Sequence, residues 1–282
     1  DRTCYGGACA AAFTWDSAYE ESLRSAGFAL AATVPLGADA TLFDADPLDR
    51  WEHPPTFVGN SMVEFAKRER AWFDARPELA ALADAAFAAG RVTRENFGKG
   101  LGAILRAEDV AALDAESRRH IELYLFVEGT RRLRQELAAA LVPEGMQLRG
   151  DASWRGPFPG AGPTLDYQRE LPAFYRECEV NLNCTSIQMP NAANQRVFDC
   201  PAAGGFLLTD AQPALQDLFD IASEVACYGN IEEARDMLRF FRARPAARIA
   251  IARRARTRVL NEHTCAHRLQ RIAGRMRDHF AG

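Results

Sequence analysis

No run of eighteen apolar residues occurs in the 282-residue sequence, so no segment has the length and hydropathy of a membrane-spanning helix. The first residues, DRTCYGGACAAAF, lack the basic start and long apolar core of a secretory signal. Together these absences predict a soluble chain. An excess of one charge is also lacking. Lys and Arg number 34 and Asp and Glu 38, a net charge of −4, which gives no field suited to nucleic acid. The seven cysteines, Cys4, Cys9, Cys178, Cys184, Cys200, Cys227 and Cys265, contain no C-x-x-C pair and are odd in number. That pattern argues against a disulfide framework and for reduced thiols, and so for a cytoplasmic protein. Cys4 and Cys9 alone are too few ligands for a metal centre, and no metal is expected. A nucleophile turn of the G-x-S-x-G kind is missing, which removes support for that hydrolase chemistry. No repeat or low-complexity tract appears, which excludes a solenoid.

What is present is an apolar content of 48%, enough for a sizeable core, distributed in two textures. Thr14 or Asp16 can cap a helix carrying Tyr19 and Leu23, Gly27 stops it, and FALAATV has strand composition. VPLGADATLFDADP reads as a connection, with a domain boundary at about residue 50. PTFVGNSM has the form of a buried strand feeding a helix. Residues 64–142 turn to Ala, Leu, Arg and Glu at helical spacing, a helical insertion in which Gly90 and Thr93 are punctuation, Asp114 caps the last long helix, and Pro143 with Gly145 ends it. Afterwards strands and helices alternate: MQLRG, TLDY, helix ELPAFYREC, EVNLN, helix NQRVFDCPAA, GFLLTD, helix PALQDLF and EVACY. Helices beginning at Asn230, Pro245 and Thr264 close the chain. Such alternation predicts a parallel sheet flanked by helices. Ligands of these sheets bind outside the carboxyl ends of the strands, which selects the loops after Val58, Leu148, Leu182 and Leu208.

Within those loops, Gly59-Asn60-Ser61 joins strand to helix, where a glycine lets backbone N–H groups approach a phosphate. QMPNAANQRVFDCPAAGGFLLTD offers Asn191 and Asn194 in a polar loop, then Arg196 and Asp199 in the first turns of a helix. A guanidinium suits a diphosphate, and a carboxylate suits the two vicinal hydroxyls of a ribose. The same i,i+3 spacing equally suits a surface ion pair. FGKGLGA imitates a dinucleotide loop through Gly98, Gly100 and Gly102, but RVTREN before it is no strand, so a bend between helices is expected. His263 and His267 lack a carboxylate-rich partner segment and read as a cap and a surface residue. The arginines of the last helices, Arg253, Arg254, Arg256, Arg258, Arg268, Arg271, Arg275 and Arg277, form a face that pairs with acidic neighbours, with peripheral contact to anionic lipid as the other reading.

Taken in order, these segments resemble the bacterial spore-maturation (CgeB-like) glycosyltransferases of the GT-B fold. VPLGADATLF is similar to their hinge, PTFVGNSM to the first strand and phosphate loop of their second domain, and MQLRGDASW to the second strand with its Gly-Asp turn. YQRELPAFYRECEVNLNCT resembles the helix and strand before the donor loop, MPNAANQRVFDCPAAGGFLLTD the donor loop itself, and EHTCAHRL part of the last helix.

The resemblance implies an α/β protein. Residues 1–50 would be the end of a Rossmann-like acceptor domain and its hinge. Residues 51–282 would be a group 1-like nucleotide-sugar-binding domain carrying the insertion 64–142. It implies transfer of a sugar from a UDP- or GDP-type donor to an unspecified acceptor, without metal or other cofactor and without nucleic acid. Gly59, Asn60 and Ser61 would hold the β-phosphate, Tyr167 would lie near the base, Asn191 and Asn194 would line the donor loop, Arg196 would neutralise the diphosphate and Asp199 would hold the ribose. Asn191 stands where related enzymes carry a second glutamate, which leaves the stereochemical outcome open. The acceptor domain is reduced here, so the chain is expected to bind donor without transferring sugar by itself. The alternative of a different class is a non-catalytic nucleotide-sugar-binding module or an inert scaffold of the same fold.

Overall fold

The computed structural model describes residues 10–280. The parallel strands β1 (Ala11–Thr14) and β2 (Leu30–Thr33) pair with Ala11 opposite Leu30 and Thr14 opposite Thr33. Their connection is a 3-10 turn at Ser17–Tyr19 and α1 (Glu20–Ser25). Asp16 caps the turn, its Oδ1 accepting the Ala18 N–H at 2.9 Å, as the sequence anticipates. β3 (Thr56–Val58) is buried throughout. Six helices follow it: α2 (Val63–Trp72), α3 (Pro77–Ala88), α4 (Arg94–Gly98), α5 (Leu101–Ile104), α6 (Ala107–Ala112) and α7 (Ala115–Leu141). Asp114 Oδ1 accepts the Ser117 N–H at 2.7 Å and starts α7, the longest element. Gly98, Gly100 and Gly102 fall in and between α4 and α5, with no strand before them, so the glycine-rich run is the expected bend.

The chain then alternates as β4 (Gln147–Arg149), α8 (Leu171–Glu177), β5 (Asn181–Leu182), α9 (Arg196–Ala202), β6 (Leu207–Asp210), α10 (Leu215–Leu218) and β7 (Ala226–Tyr228). It ends with α11 (Ile231–Arg242), α12 (Pro245–Glu262) and α13 (Cys265–Phe280). The sheet order is β4-β3-β5-β6-β7, and β5, β6 and β7 run parallel. This is the α/β class with a parallel sheet that the alternation implies. One segment departs from expectation. TLDY is not a strand: pairing beside β4 stops at the Arg149–Gly162 bridge, because Pro163 has no N–H to continue the ladder.

Two compact units divide the chain. One takes the segment up to Thr56, Asp166–Asn183 and the segment from Asn191, and the other takes Phe57–Leu165 and Cys184–Pro190. In the first unit α9 is buried along its whole face, from Val197 to Ala202, and Phe198 is fully enclosed. Gly204 follows at φ 80°, and a Cβ there would lie 2.7 Å from the Ala45 carbonyl oxygen, so only glycine lets the chain turn so close to that backbone. In the second unit the helices bury Phe73, Ile104, Ile121 and Leu125 in one cluster, each enclosed side chain contributing about 1.5–3 kcal/mol.

Candidate functional site

The loops at the carboxyl ends of β5 and β6 converge on a buried polar cluster in the first unit. Asn183, just beyond β5, is 0% exposed and is its centre. Its Nδ2 donates to Thr209 Oγ1 at 2.9 Å and to Asn194 Oδ1 at 3.1 Å, while its Oδ1 accepts from Asn194 Nδ2 at 2.9 Å and from Arg196 Nη1 at 2.7 Å. Arg196 also donates from Nε to the Tyr175 hydroxyl at 3.3 Å. The guanidinium is therefore aimed by two side chains rather than left to sweep the surface. Asn191 lies on the other side of the loop. Its backbone N–H and that of Ala192 both donate to Oδ2 of the buried Asp16 at 3.1 Å, and its Nδ2 donates to Ser17 Oγ at 3.2 Å.

Asp199 is 1% exposed, so it is not half of a surface ion pair. Its Oδ2 accepts from the Tyr167 hydroxyl at 2.6 Å, and its Oδ1 accepts from Gln195 Nε2 at 2.7 Å. Gln195 Nε2 also donates to the Gly37 carbonyl at 2.9 Å. Burial pushes the Asp199 carboxyl up to about 6, with the hydrogen bonds from Tyr167 and Gln195 and the charge of Arg196 opposing the shift. Tyr167 is 45% exposed, its ring edge-on to Phe43 with centroids 5.4 Å apart. Burial at the hydroxyl, then the Asp199 carboxylate, raises the Tyr167 pKa. The structure thus brings Asn194, Arg196, Asp199 and Tyr167 together through Asn183 and Gln195. The sequence reading did not single out those two, although Asn183, the asparagine that ends the strand-like run EVNLN, was a visible signal.

In the second unit the Gly59-Asn60-Ser61 loop does join β3 to α2, and the N–H groups of Gly59 and Ser61 have internal partners. Gly59 donates to the Arg149 carbonyl at 2.8 Å, Ser61 donates to Asp151 Oδ2 at 2.5 Å, and Met62 donates to Asn60 Oδ1 at 2.6 Å. Ser61 Oγ donates to Asp151 Oδ1 at 2.7 Å, and Arg134 Nη1 donates to the Asn60 carbonyl at 2.7 Å. Asp151 opens the loop after β4. The two loops approach so closely that a Cβ on Gly150 would meet the Gly59 oxygen at 2.1 Å. A phosphate reaching the Ser61 N–H would displace the Asp151 carboxylate.

The remaining candidates resolve individually. His263 is buried, with Nε2 2.8 Å from the Leu218 carbonyl, whereas His267 Nδ1 lies 2.7 Å from Thr264 Oγ1, so the two rings serve separate partners. Of the terminal arginines, Arg256 pairs with Asp44 at 2.5 Å and Arg258 with Glu224 at 3.0 Å. Cys4 and Cys9 lie outside the described residues. Among the described residues no group of three or more His, Cys, Asp or Glu is placed to hold a metal, and no helix is long and apolar enough to cross a membrane.

No curated protein matches the sequence. Among solved structures, the chain is similar to a sucrose-phosphate synthase from Thermosynechococcus elongatus, with a TM-score of 0.54 and 12% identity over 95% of this chain and 58% of that one. It is also similar to a glycosyltransferase from Rickettsia africae ESF-5, with a TM-score of 0.52 and 10% identity over 96% of this chain and 63% of that one. The chain therefore spans less than two thirds of the length of either structure, and at such identities the likeness speaks for the fold. The sequence matches the glycosyl transferase-like family over residues 125–274, more than half of its length, and the chain belongs to that family.

Proposed function

We propose that this chain binds the donor in a glycosyl transfer, a nucleotide diphosphate-sugar of the UDP or GDP type, as in the spore-maturation-like branch of the family. One observation carries the reading: Asp199, a carboxylate enclosed at the start of α9, holds the Tyr167 hydroxyl at 2.6 Å beside an oriented Arg196. A ribose hydroxyl is chemically the same kind of donor as the tyrosine it would replace. Each carboxylate oxygen has a second lone pair, and Tyr167 stands on an exposed turn from which it can swing toward the base. Arg196 supplies fixed positive charge for the departing diphosphate, the electrostatic role that a metal plays elsewhere. Asn191 and Asn194 line the loop beside the sugar. For Gly59, Asn60 and Ser61 the reading remains a phosphate contact, made at the expense of the Asp151 carboxylate.

Calorimetry with UDP and GDP tests this. Buried charge-assisted hydrogen bonds are worth roughly 1.5–3 kcal/mol each, so Asp199→Ala should weaken the preferred nucleotide by about ten-fold to over a hundred-fold. The 2′-deoxy nucleotide should bind worse to the wild type but nearly equally to the variant. Equal affinity of the wild type for ribo and deoxy forms would overturn the assignment. A second reading, an inert scaffold, is favoured by one fact: both Asp199 oxygens and the Ser61 N–H already have protein partners. Failure of every nucleotide diphosphate to bind would select it.

A further inference from the structure

The segment Cys184–Pro190 separates Asn183, just beyond β5, from Asn191 in the donor loop. It belongs to the same compact unit as the helical insertion, although the residues on both sides of it belong to the sheet unit. A loop at a strand end ordinarily lies on the surface with its backbone in water. This one is enclosed, with Cys184, Ile187 and Met189 buried and Thr185 0% exposed. Side chains of the insertion take the hydrogen bonds that water would otherwise take. Thr93 caps α4 by accepting the Asn96 N–H at 3.1 Å, which sets Arg94 at the first position of that helix. Arg94 Nη2 donates to the Thr185 carbonyl at 2.7 Å, across 91 residues of sequence. The Ile187 N–H donates to Oγ1 of the fully buried Thr130 in α7 at 3.3 Å. At the end of the segment Pro190 lies against α4, where a Cβ on Gly98 would stand 2.7 Å from the Pro190 Cβ. The first glycine of the run FGKGLGA therefore has a packing reason: it admits the residue that precedes Asn191.

From these contacts we infer that the helical insertion positions the donor loop, with Arg94 as a positioning residue for nucleotide binding. The segment cannot shift without releasing the bonds made by Arg94 and Thr130. Its two ends are joined covalently to Asn183, which aims Arg196, and to Asn191. The affinity of a site falls by the fraction of molecules in which its binding arrangement is not populated, so a loosened segment weakens the ligand without touching it. Arg94 acts through the Thr185 carbonyl, and a charged donor makes that bond stronger than a neutral one would. The inference rests on the nucleotide reading of the donor loop and gives the insertion a task in it.

Two measurements on the 282-residue chain test it together: amide hydrogen exchange without ligand, and calorimetry with UDP and GDP. Arg94→Ala should speed exchange of the Ile187 amide and its loop neighbours several-fold while leaving exchange in α12 unchanged. The same variant should weaken the preferred nucleotide by about ten-fold. Arg94→Lys keeps a charged donor for the single bond to Thr185 and should recover most of that loss. Gly98→Ala adds one methyl group against Pro190 and should loosen the same segment and weaken the nucleotide several-fold, with the circular dichroism of the folded chain retained. Lys99→Ala, which breaks only the exposed pair with Glu95, should change neither reading. Loop exchange unaltered in both Arg94→Ala and Gly98→Ala, or faster exchange with nucleotide affinity preserved, overturns the inference and leaves the nucleotide reading intact. A wild type that binds neither UDP nor GDP overturns the nucleotide reading, and the inference with it, whatever the exchange shows.

Discussion

In the helix-rich unit many charges lie on helix surfaces and meet their partners there: Arg70 and Asp84 at 2.8 Å, Lys99 and Glu95 at 2.6 Å, Arg106 and Asp109 at 2.8 Å. In the sheet unit Asp16, Asn183 and Asp199 are all 1% exposed or less, and each holds two or more neighbours at the carboxyl ends of strands. Exposed pairs gain little because water competes for both charges. Enclosed polar groups are expensive to leave unpaired, so they fix geometry. The contrast places the site at the strand ends and not among the surface ion pairs of the insertion.

The largest effect should come from breaking the enclosed network at its centre. Asn183→Leu keeps the volume but strips partners from Asn194, Thr209 and the Arg196 guanidinium. Orphaned buried groups cost about 1–3 kcal/mol each, so a loss of about 3 kcal/mol or more is expected. In a protein of this size that lowers the melting temperature by roughly 6–12 °C. Arg106→Ala in the other unit should leave it unchanged within error. Scanning calorimetry of the two variants checks the pair, and an equal response would erase the distinction between the units.

Next in size is the pH dependence of Asp199. Its folded pKa, about 6, lies above the ordinary 3.8, so the folded chain holds this proton more tightly than the unfolded chain. The associated stability is complete below about 3.8 and is lost as pH rises through about 6. A shift of roughly two units is worth up to about 3 kcal/mol. Urea titrations from pH 4 to 8 should therefore show the wild type losing stability relative to Asp199→Asn across that window. Nucleotide affinity should move in the opposite direction, strengthening as the carboxylate ionises, because only the charged form accepts from both ribose hydroxyls.

A smaller shift follows from Tyr167→Phe. The tyrosine hydroxyl lowers the Asp199 pKa by bonding the charged form, so its removal should raise that pKa further. The change is seen as a later midpoint in the pH dependence of nucleotide binding. An unmoved midpoint would mean that Asp199 is not the titrating group.

Much of the fold was legible because its signals are local. Asp114 and Asn230 are capping residues followed by periodic helices, and MQLRG and GFLLTD are short apolar runs bounded by turns. TLDY alternates like a strand, but Pro163 and the end of pairing at Gly162 deny it a partner. In the site, Arg196 and Asp199 stood out by residue type. The burial of Asp199 did not, since it depends on Tyr167, 32 residues earlier in the chain. Asp151 was equally hidden. It was visible only as part of a Gly-Asp turn, and its grip on Ser61 spans 90 residues.

That grip supplies the smallest of the expected effects and the one that sharpens the comparison most. Asp151 places a carboxylate on the Ser61 N–H and hydroxyl and on the Ser153 N–H at 3.1 Å. If the Gly59–Ser61 loop meets a phosphate, the anion approaches a like charge and must release the N–H that Asp151 holds. Asp151→Asn removes the charge while its amide oxygen still accepts from the loop. Nucleotide diphosphate should then bind more tightly, by about five- to ten-fold, because relief of one partly solvated repulsion is worth on the order of 1 kcal/mol. The nucleoside without phosphates should bind equally to both proteins, which separates phosphate contact from a general change in the fold. The gain should shrink with added salt, since part of the repulsion passes through solvent. Weaker diphosphate binding in Asp151→Asn, with the melting temperature preserved, would instead assign Asp151 the task of shaping a loop that meets the phosphate through other N–H groups. No change for either ligand would remove Gly59, Asn60 and Ser61 from the donor site and leave recognition to the enclosed cluster around Asn183 and Asp199.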